Sequence, residues 1–357
     1  MADSDPLPRA MPEPASEKLQ ARLLRHFPRL VRSLGGDPAS LLAAVGLDAA
    51  ACDRAGAATC HQWVALLERA AVVLGKPDFG LLLACEQGDS DVFGPLGAVM
   101  RNSRTLGDAL KYVATHNAAH SLAVRVWMGR SASGAHVFMG HDLLGEELPN
   151  RSQAIEQALL AGHLGAVGLT GGRARVRRVH FRHEALSPRA TYRRHFGCDV
   201  HFCQNEDGVV FSLDDLAQPI VAADADALGD VVGHVNRHFD RKRPPFHAQV
   251  RGVIMQLLWT GNCANEDVAR ELGLHPRTLH RRLHEENCAF QAIKDEVRRD
   301  FMLYYLRQTD MRFSRISEKL GFAEQSVMSR FARVAFGASP REIRRHRDIA
   351  PDHRTAH

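Results

Sequence analysis

Apolar residues return every three to four positions between Cys60 and Leu74, which places Trp63, Leu66, Leu67, Ala70 and Val73/Leu74 on one face of a helix. Thr59 stands just before this run as its expected N-cap. Helical spacing extends from Ala15 to about Gly107, and Thr105 is expected to cap the next helix through Leu110 and Val113. The period then drops to two. Leu122, Val124, Val126 and Met128 alternate with Ala123, Arg125 and Trp127, a strand pattern, and Gly129 to Gly134 turns the chain into Ala135 to Met139. Asn150 to Leu169 returns to helix, and Val176 to Phe181 and Val209 to Leu213 are short β-rich runs. Mixed short strands and helices over this length predict an α+β domain. Ala222 to Phe239 reads as a helix that Arg241-Lys242-Arg243-Pro244-Pro245 breaks, since two prolines stop a helix and stiffen the connection. Beyond that break the pattern is helical as far as Arg347. The expected organisation is a disordered lead-in at 1–15, a first domain at 16–235, a linker at 236–247, a helical domain at 248–347 and a tail at 348–357.

The helical domain contains an internal repeat. Val268-Ala269-Arg270-Glu271-Leu272-Gly273-Leu274 is followed by His275-Pro276-Arg277-Thr278-Leu279, and Ile316-Ser317-Glu318-Lys319-Leu320-Gly321-Phe322 by Ala323-Glu324-Gln325-Ser326-Val327. Each copy has the parts of a helix-turn-helix. A small residue (Ala269, Ser317) lies where a second helix packs close, and a glycine (Gly273, Gly321) stands where the turn needs a positive φ. An apolar residue (Leu274, Phe322) then anchors the corner. Pro276 suits the first position of the second helix, where its missing N–H is not needed. Asn265 and Ser314 are the expected caps of the two leading helices, and Ser339-Pro340-Arg341-Glu342 reads as a capping box.

With Leu279 and Leu283 turned inward, the helical wheel sends Arg277, Arg281 and His284 outward, with Thr278 and His280 beside them. An arginine can bond guanine O6 and N7 together, so Arg277 and Arg281 are the leading candidates for base readout. Arg282 falls nearer the packed side. Two registers are open for the second unit. Burying Val327 and Phe331 exposes Gln325 and Ser329, whereas burying Met328 and Ala332 exposes Ser326 and Arg330.

Charge is distributed to match. The formal net charge is +5, yet Phe246 to Arg347 holds 18 Lys and Arg against 12 Asp and Glu, leaving 28 against 29 elsewhere. A basic last third is what a polyanion-binding module requires. With 45% hydrophobic and 24% charged residues the chain has a soluble globular balance, and its 357 residues allow two or three domains. The longest apolar candidate, Ala158 to Gly172, is interrupted by His163 and too short for a bilayer, so no membrane partner is expected. The Pro-rich start does not read as a signal peptide. Seven cysteines, an odd number, fit reduced thiols in a cytoplasmic protein.

Across Val250 to Arg347 the chain resembles the AraC/XylS family of bacterial regulators. The resemblance lies in Glu266-Asp267-Val268-Ala269, Leu272-Gly273, Pro276-Arg277-Thr278-Leu279, Arg281-Arg282-Leu283, Gly321-Phe322, Glu324-Gln325-Ser326, Arg330, Phe336-Gly337 and Ser339-Pro340-Arg341-Glu342. It implies two helix-turn-helix units joined by a long helix, here Ala289 to Leu306, in major-groove segments ~10 bp apart. The family's second unit has an aromatic where Ala332 stands, and Phe331 comes one residue early. The N-terminal part is similar to the arabinose-binding-like sensing domain of the subgroup with the ornithine-responsive regulators. That similarity rests on Phe93-Gly94-Pro95-Leu96-Gly97, Thr105-Leu106-Gly107-Asp108-Ala109-Leu110, Phe196-Gly197-Cys198 and Asp214 to Asp226. The resemblance implies an α+β ligand-sensing and dimerising domain followed by an all-α DNA-binding domain with two helix-turn-helix units. It also implies double-stranded operator DNA, RNA polymerase, an unidentified small-molecule effector and a second copy of the chain as partners, with activation as the expected outcome.

Other constellations carry less. His195, Cys198, His201 and Cys203 lack the second short-spaced pair of a structural zinc site, so no metal is expected. No phosphate loop or nucleophile elbow occurs, and no cofactor or catalytic residue is expected. Arg173, Arg175, Arg177 and Arg178 could attract an acidic ligand but read more simply as a solvated strand face. Two rivals remain beside the effector-controlled regulator: an alkyl-transferring repair protein carrying the same module, which needs a reactive cysteine, and a DNA-binding dimer that takes no ligand.

Overall fold

The computed structural model describes residues 22–54, 56–88, 90–116, 123–130, 135–143, 150–221, 223–224, 228–233, 246–258 and 263–345. The expected lead-in, Leu122, residues 131–134 of the first turn, the Arg241–Pro245 break and the tail lie outside these residues, as does most of the Ala222–Phe239 helix, of which 228–233 are helical.

The first domain begins with helices α1 (Phe27–Ser33), α2 (Pro38–Ala43), α3 (Cys60–Val73), α4 (Phe79–Gln87), α5 (Pro95–Asn102) and α6 (Leu106–His116). Local chemistry sets their starts. The Thr59 hydroxyl accepts from the Gln62 N–H at 3.1 Å while the Gln62 side chain accepts from the Thr59 N–H at 3.0 Å, a reciprocal cap on α3. Thr105 likewise accepts from the Asp108 N–H at 3.1 Å and starts α6. Trp63, Leu66, Leu67 and Ala70 of α3 are buried as the spacing predicts, but Val73 is 60% exposed, so the apolar face ends one residue short there and Leu74 takes the place.

Strands β1 (Val124–Arg130) and β2 (His136–Leu143) follow, then helix α7 (Ser152–Leu169), β3 (Arg178–His180), α8 (Arg189–Phe196), β4 (Asp199–His201), β5 (Gly208–Ser212) and α9 (Leu213–Ala217). The sheet order is β1-β2-β5-β3-β4, antiparallel except for the β3–β4 pair. Its β4 strand, three residues long, is too short to leave a readable alternation in the sequence. Helix α7 is buried on nearly every side because α3, α4 and β2 pack around it. In the β1–β2 ladder Val126 pairs with His141 and Arg125 with Asp142. Successive side chains point to opposite faces, so Val124 and Val126 pack into the helical core while Arg125 and Trp127 face the other way.

The basic cluster is structural at two of its positions. Arg177 clamps the buried Asp215 carboxylate with bonds of 2.7 and 2.8 Å, and Arg173 donates to the Pro219 carbonyl at 3.0 Å. The His195–Cys203 group is dispersed: His195 meets Cys85 at 3.2 Å and His201 packs on the ring of His180. Among the described residues no three metal-binding side chains converge.

The second domain is all helical: α10 (Phe246–Leu257), α11 (Asn265–Glu271), α12 (Pro276–Glu285), α13 (Phe290–Gln308), α14 (Phe313–Lys319), α15 (Gln325–Phe336) and α16 (Pro340–Arg345). Helix α10 starts two residues inside the expected linker. Each domain has its own apolar cluster, one drawn from Leu23 to Ile220 and the other from Phe246 to Ile343.

Two histidines, the buried His163 and the half-buried His141, make the first domain sensitive to acid. Burial, with Arg175 nearby, holds the His163 imidazole down at about 4, and burial holds His141 at about 4 against the pull of Asp142. Both folded values lie below the unfolded value of ~6.5, so both groups stabilise the domain above that pH and withdraw stability as pH falls from 6.5 toward 4. At pH 5 the His163 contribution alone falls by up to ~2 kcal/mol. The melting midpoint should therefore drop between pH 7 and pH 5, and His163→Leu should flatten that slope; an equal slope in the variant would assign the acid sensitivity elsewhere.

Candidate nucleic-acid interface

Each helix-turn-helix is built as its sequence requires, with small shifts at the caps. Gly273 and Gly321 turn the chain at φ of 64° and 63°, a conformation that costs glycine little. Ala269 and Ser317 are buried where the helices cross, and Leu274 and Phe322 pack partly into the core. Pro276 does open α12, with the His275 ring nitrogen accepting from the Arg277 N–H at 3.2 Å. The leading helices are capped differently from expectation. Asn265 is the first residue of α11, and Ala264 holds the cap position with its N–H bonded to the Asp267 carboxylate at 3.1 Å. Ser314 lies inside α14, whose cap position is Arg312. At neither cap position does a side chain accept from the first turn of its helix. Ser339 and Glu342 form the expected box before α16, the Ser339 N–H reaching the Glu342 carboxylate at 2.7 Å.

The first candidate recognition helix is α12. Leu279 and Leu283 are buried, Arg277, His280, Arg281 and His284 are exposed, and Thr278 is half-buried beside them. Arg282 lies 5.3 Å above the Phe246 ring rather than beside an acidic group. Glu286, just past the end of α12, accepts from the backbone N–H groups of Phe246 and His247 at 2.6 and 2.8 Å and from the His247 ring at 2.7 Å. These bonds hold the Glu286 carboxyl below its usual range against the opposing effect of burial. They also pin the recognition helix to the start of α10.

The structure decides the register of α15. Met328 and Ala332 are fully buried, so Ser326 and Arg330 are exposed, Gln325 is exposed at the helix start, and Ser329 is half-buried with its hydroxyl bonded back to the Gln325 carbonyl at 3.0 Å. Phe331, one position early, is half-buried and packs on Phe322 with ring centroids 5.4 Å apart. Sequence reasoning missed the residue that fixes this second turn. From α13, Arg298 donates to the carbonyls of Leu320 and Gly321 at 3.1 and 2.9 Å and lies 4.5 Å over the Phe322 ring. No local pattern signals it, because its partners are more than twenty residues away in the chain.

Comparison with known proteins agrees with this geometry. The arabinose-binding N-terminal domain of AraC transcription regulators matches residues 35–220, just over half the chain, and a helix-turn-helix domain matches 268–346. The chain belongs to the AraC family of transcription regulators. Among AraC-family relatives, the HTH-type transcriptional regulator VirS of Mycobacterium tuberculosis is 30% identical over 328 residues, covering 91% of this chain and 96% of its own. The transcriptional activator NphR of a Rhodococcus species is 33% identical over 92 residues, 26% of this chain and 28% of its own. A solved structure, the transcriptional regulator CdpR from Pseudomonas aeruginosa, is similar at a TM-score of 0.40 and 22% identity, covering 88% of this chain and 97% of that one. The matched domains and relatives are those of regulators, not of enzymes.

In this AraC-family chain the two candidate recognition helices differ in chemistry. Helix α12 exposes three arginines and two histidines, whereas α15 exposes two arginines, Arg330 and Arg333, with Gln325 and Ser326. Arg281→Ala should cost about 1–3 kcal/mol of operator binding and relax specificity at one base position. Arg330→Ala should do the same at a position in the neighbouring groove segment, ~10 bp away. Binding measured against a library of operator variants checks both, and a loss that is uniform across sequences would make either residue a phosphate contact.

Proposed function

We propose that this protein is a cytoplasmic, homodimeric transcription activator whose operator affinity is set by a small molecule in the first domain. Residues 16–235 bind the effector and dimerise, 236–247 link, and 248–347 read double-stranded operator DNA and contact RNA polymerase. Arg277, Thr278, His280, Arg281 and His284 enter one major-groove segment, and Gln325, Ser326, Ser329 and Arg330 the next. Among the described residues no helix is long and apolar enough to cross a membrane.

The observation that supports effector control is a buried charge network joining the two domains. Asp142 on β2 is 2% exposed and accepts from Arg125 at 3.2 Å, Arg182 at 3.3 Å, the Trp127 indole at 3.0 Å and the Tyr304 hydroxyl of α13 at 3.1 Å. Arg125 also meets the Tyr305 hydroxyl at 3.3 Å, and Arg182 lies 4.4 Å over the Tyr304 ring. Asp207 lies 3.8 Å from Arg182 and gives the cluster a second carboxylate for its two arginines. At the edge, Lys319 of α14 pairs with Glu206 at 2.7 Å and lies 4.9 Å over Trp127. Helix α14 is the leading helix of the second reading unit, so the first domain touches that unit directly.

A large, hydrophobic seam would hold two domains together. A charge-paired one exchanges its bonds for water on opening, so the net cost of separation is small beside the individual interactions. Two arrangements of similar free energy are what an effector needs in order to shift a population. The alkyl-transfer alternative requires an activated thiol, yet burial pushes Cys52 up to about 12 and Cys198 to about 11, and raises Cys85, Cys263 and Cys288 as well.

Sequencing genomic fragments retained by the purified protein tests the regulator reading: one enriched motif with two half-sites ~10 bp apart is expected, with affinity falling steeply as salt rises. Retention that is flat in salt or without a shared motif would defeat it. Tyr304→Phe combined with Lys319→Ala removes one hydroxyl bond and one ion pair from the network while leaving both cores intact. Small-angle scattering should show a larger radius of gyration for this variant, and its operator affinity should depend less on effector. An unchanged radius would mean that the network does not hold the domains together.

A further inference from the structure

A cavity of about 110 Å³ lies inside the first domain, between helices α3, α5, α6 and α7 and the inner face of β1, β2 and β5. Its walls include Met100, Leu110, Val126, Met139 and Gly162, and none of the residues lining it carries a carboxylate, amide, ammonium or guanidinium group. The Trp63 indole N–H at its edge is already spent on Gln157 at 2.7 Å. One polar side chain remains. His141 lines the cavity, and its Nε2 is buried with no hydrogen-bond partner among the described residues.

This lining selects a ligand. A pentose would bury several hydroxyls against hydrocarbon, each unmet one costing roughly tenfold or more in affinity. An amino acid such as ornithine would bury an ammonium and a carboxylate with nothing to neutralise them. An apolar body loses nothing here, and a cavity somewhat below the ~150 Å³ known to accept benzene suits one six-membered ring or a short alkyl chain. Met100 and Met139, flexible and polarisable, let the walls adjust to such a guest.

We propose that this cavity is the effector site and that it takes a small alcohol or phenol, the hydroxyl bonded to His141 Nε2 and the hydrocarbon body enclosed by the apolar walls. This rests on the effector-controlled reading above and adds the chemical class of the effector. The position of the cavity links it to the domain seam. Val126 and His141 are a cross-strand pair facing the ligand, and the neighbouring pair, Arg125 and Asp142, faces α13 on the opposite side of the same two strands. A ligand that shifts the first pair moves the second.

The test titrates purified full-length protein, without DNA, with p-cresol, toluene, L-arabinose and L-ornithine, read by melting midpoint and tryptophan fluorescence. At about a hundredfold excess over its Kd, p-cresol should raise the midpoint by roughly 5–10 °C. Toluene should bind about tenfold more weakly, and the sugar and the amino acid should give no shift. Gly162 lies in α7 with open space where a Cβ would stand, so Gly162→Leu fills the cavity and should abolish both aromatic responses. A ligand-free midpoint at or above wild type shows that this variant is folded. His141→Phe should bind toluene as before and lose the preference for p-cresol. A saturable response to arabinose or ornithine, or an aromatic response that survives Gly162→Leu, overturns the assignment, as does the lack of any aromatic shift in protein that still holds its operator. Aromatic binding by protein that retains no DNA motif would instead defeat the regulator reading and leave the cavity assignment standing.

Discussion

A carboxylate taken out of water has to be neutralised where it stands, and Asp142 is the residue on which this molecule concentrates that demand. Its oxygens are met by Arg125 and the Trp127 indole from β1, by Arg182 just past β3 and by a tyrosine hydroxyl from α13. No single element could satisfy it. The sheet must pair β1 with β2 in the observed register to bring Arg125 alongside, and the second domain must sit against the outer face to bring Tyr304 and Tyr305. Removing one member of such a buried set typically costs about 3–5 kcal/mol, so the arrangement is specific even if its net contribution to stability is small.

That requirement also explains the composition of the two strands. Apart from His141, β1 and β2 have apolar residues among the described ones on the face toward the helices and mostly charged or aromatic ones on the face toward the DNA-reading domain. Gly140 belongs to the same design, since a Cβ there would lie 2.1 Å from the Trp127 ring that covers it. The ladder is thus one layer thick between an apolar cavity and a charged seam, and the pleat of a strand connects the two faces mechanically. Separate apolar cores on the two sides allow the domains to move as bodies while each stays folded.

The reading units were legible because their physics is local. A positive φ at Gly273 and Gly321, a small residue four positions earlier, and a proline at the start of α12 are set by neighbours a few residues away. The first recognition helix was legible too, because Leu279 and Leu283 leave only one way to orient it. The second was not. Val327, Met328, Phe331 and Ala332 offer two apolar stripes, and only packing against the rest of the domain selects Met328 and Ala332. The leading helices begin at Asn265 and Phe313, so the residues expected as caps fall inside them, and Ala264 and Arg312 hold the cap positions without a side-chain cap bond.

From the order of its residues alone, this chain determined that it would have a mixed first domain, a helical second domain and two glycine-cornered reading units, since periodicity, turn chemistry and charge density act over short stretches. Tertiary structure decided which face of α15 meets solvent, how Arg298 fixes the second turn, and that Arg125, Asp142 and Tyr304 come together. Those outcomes depend on groups up to 180 residues apart, and side chains at that separation leave no shared local signature until the fold closes around them.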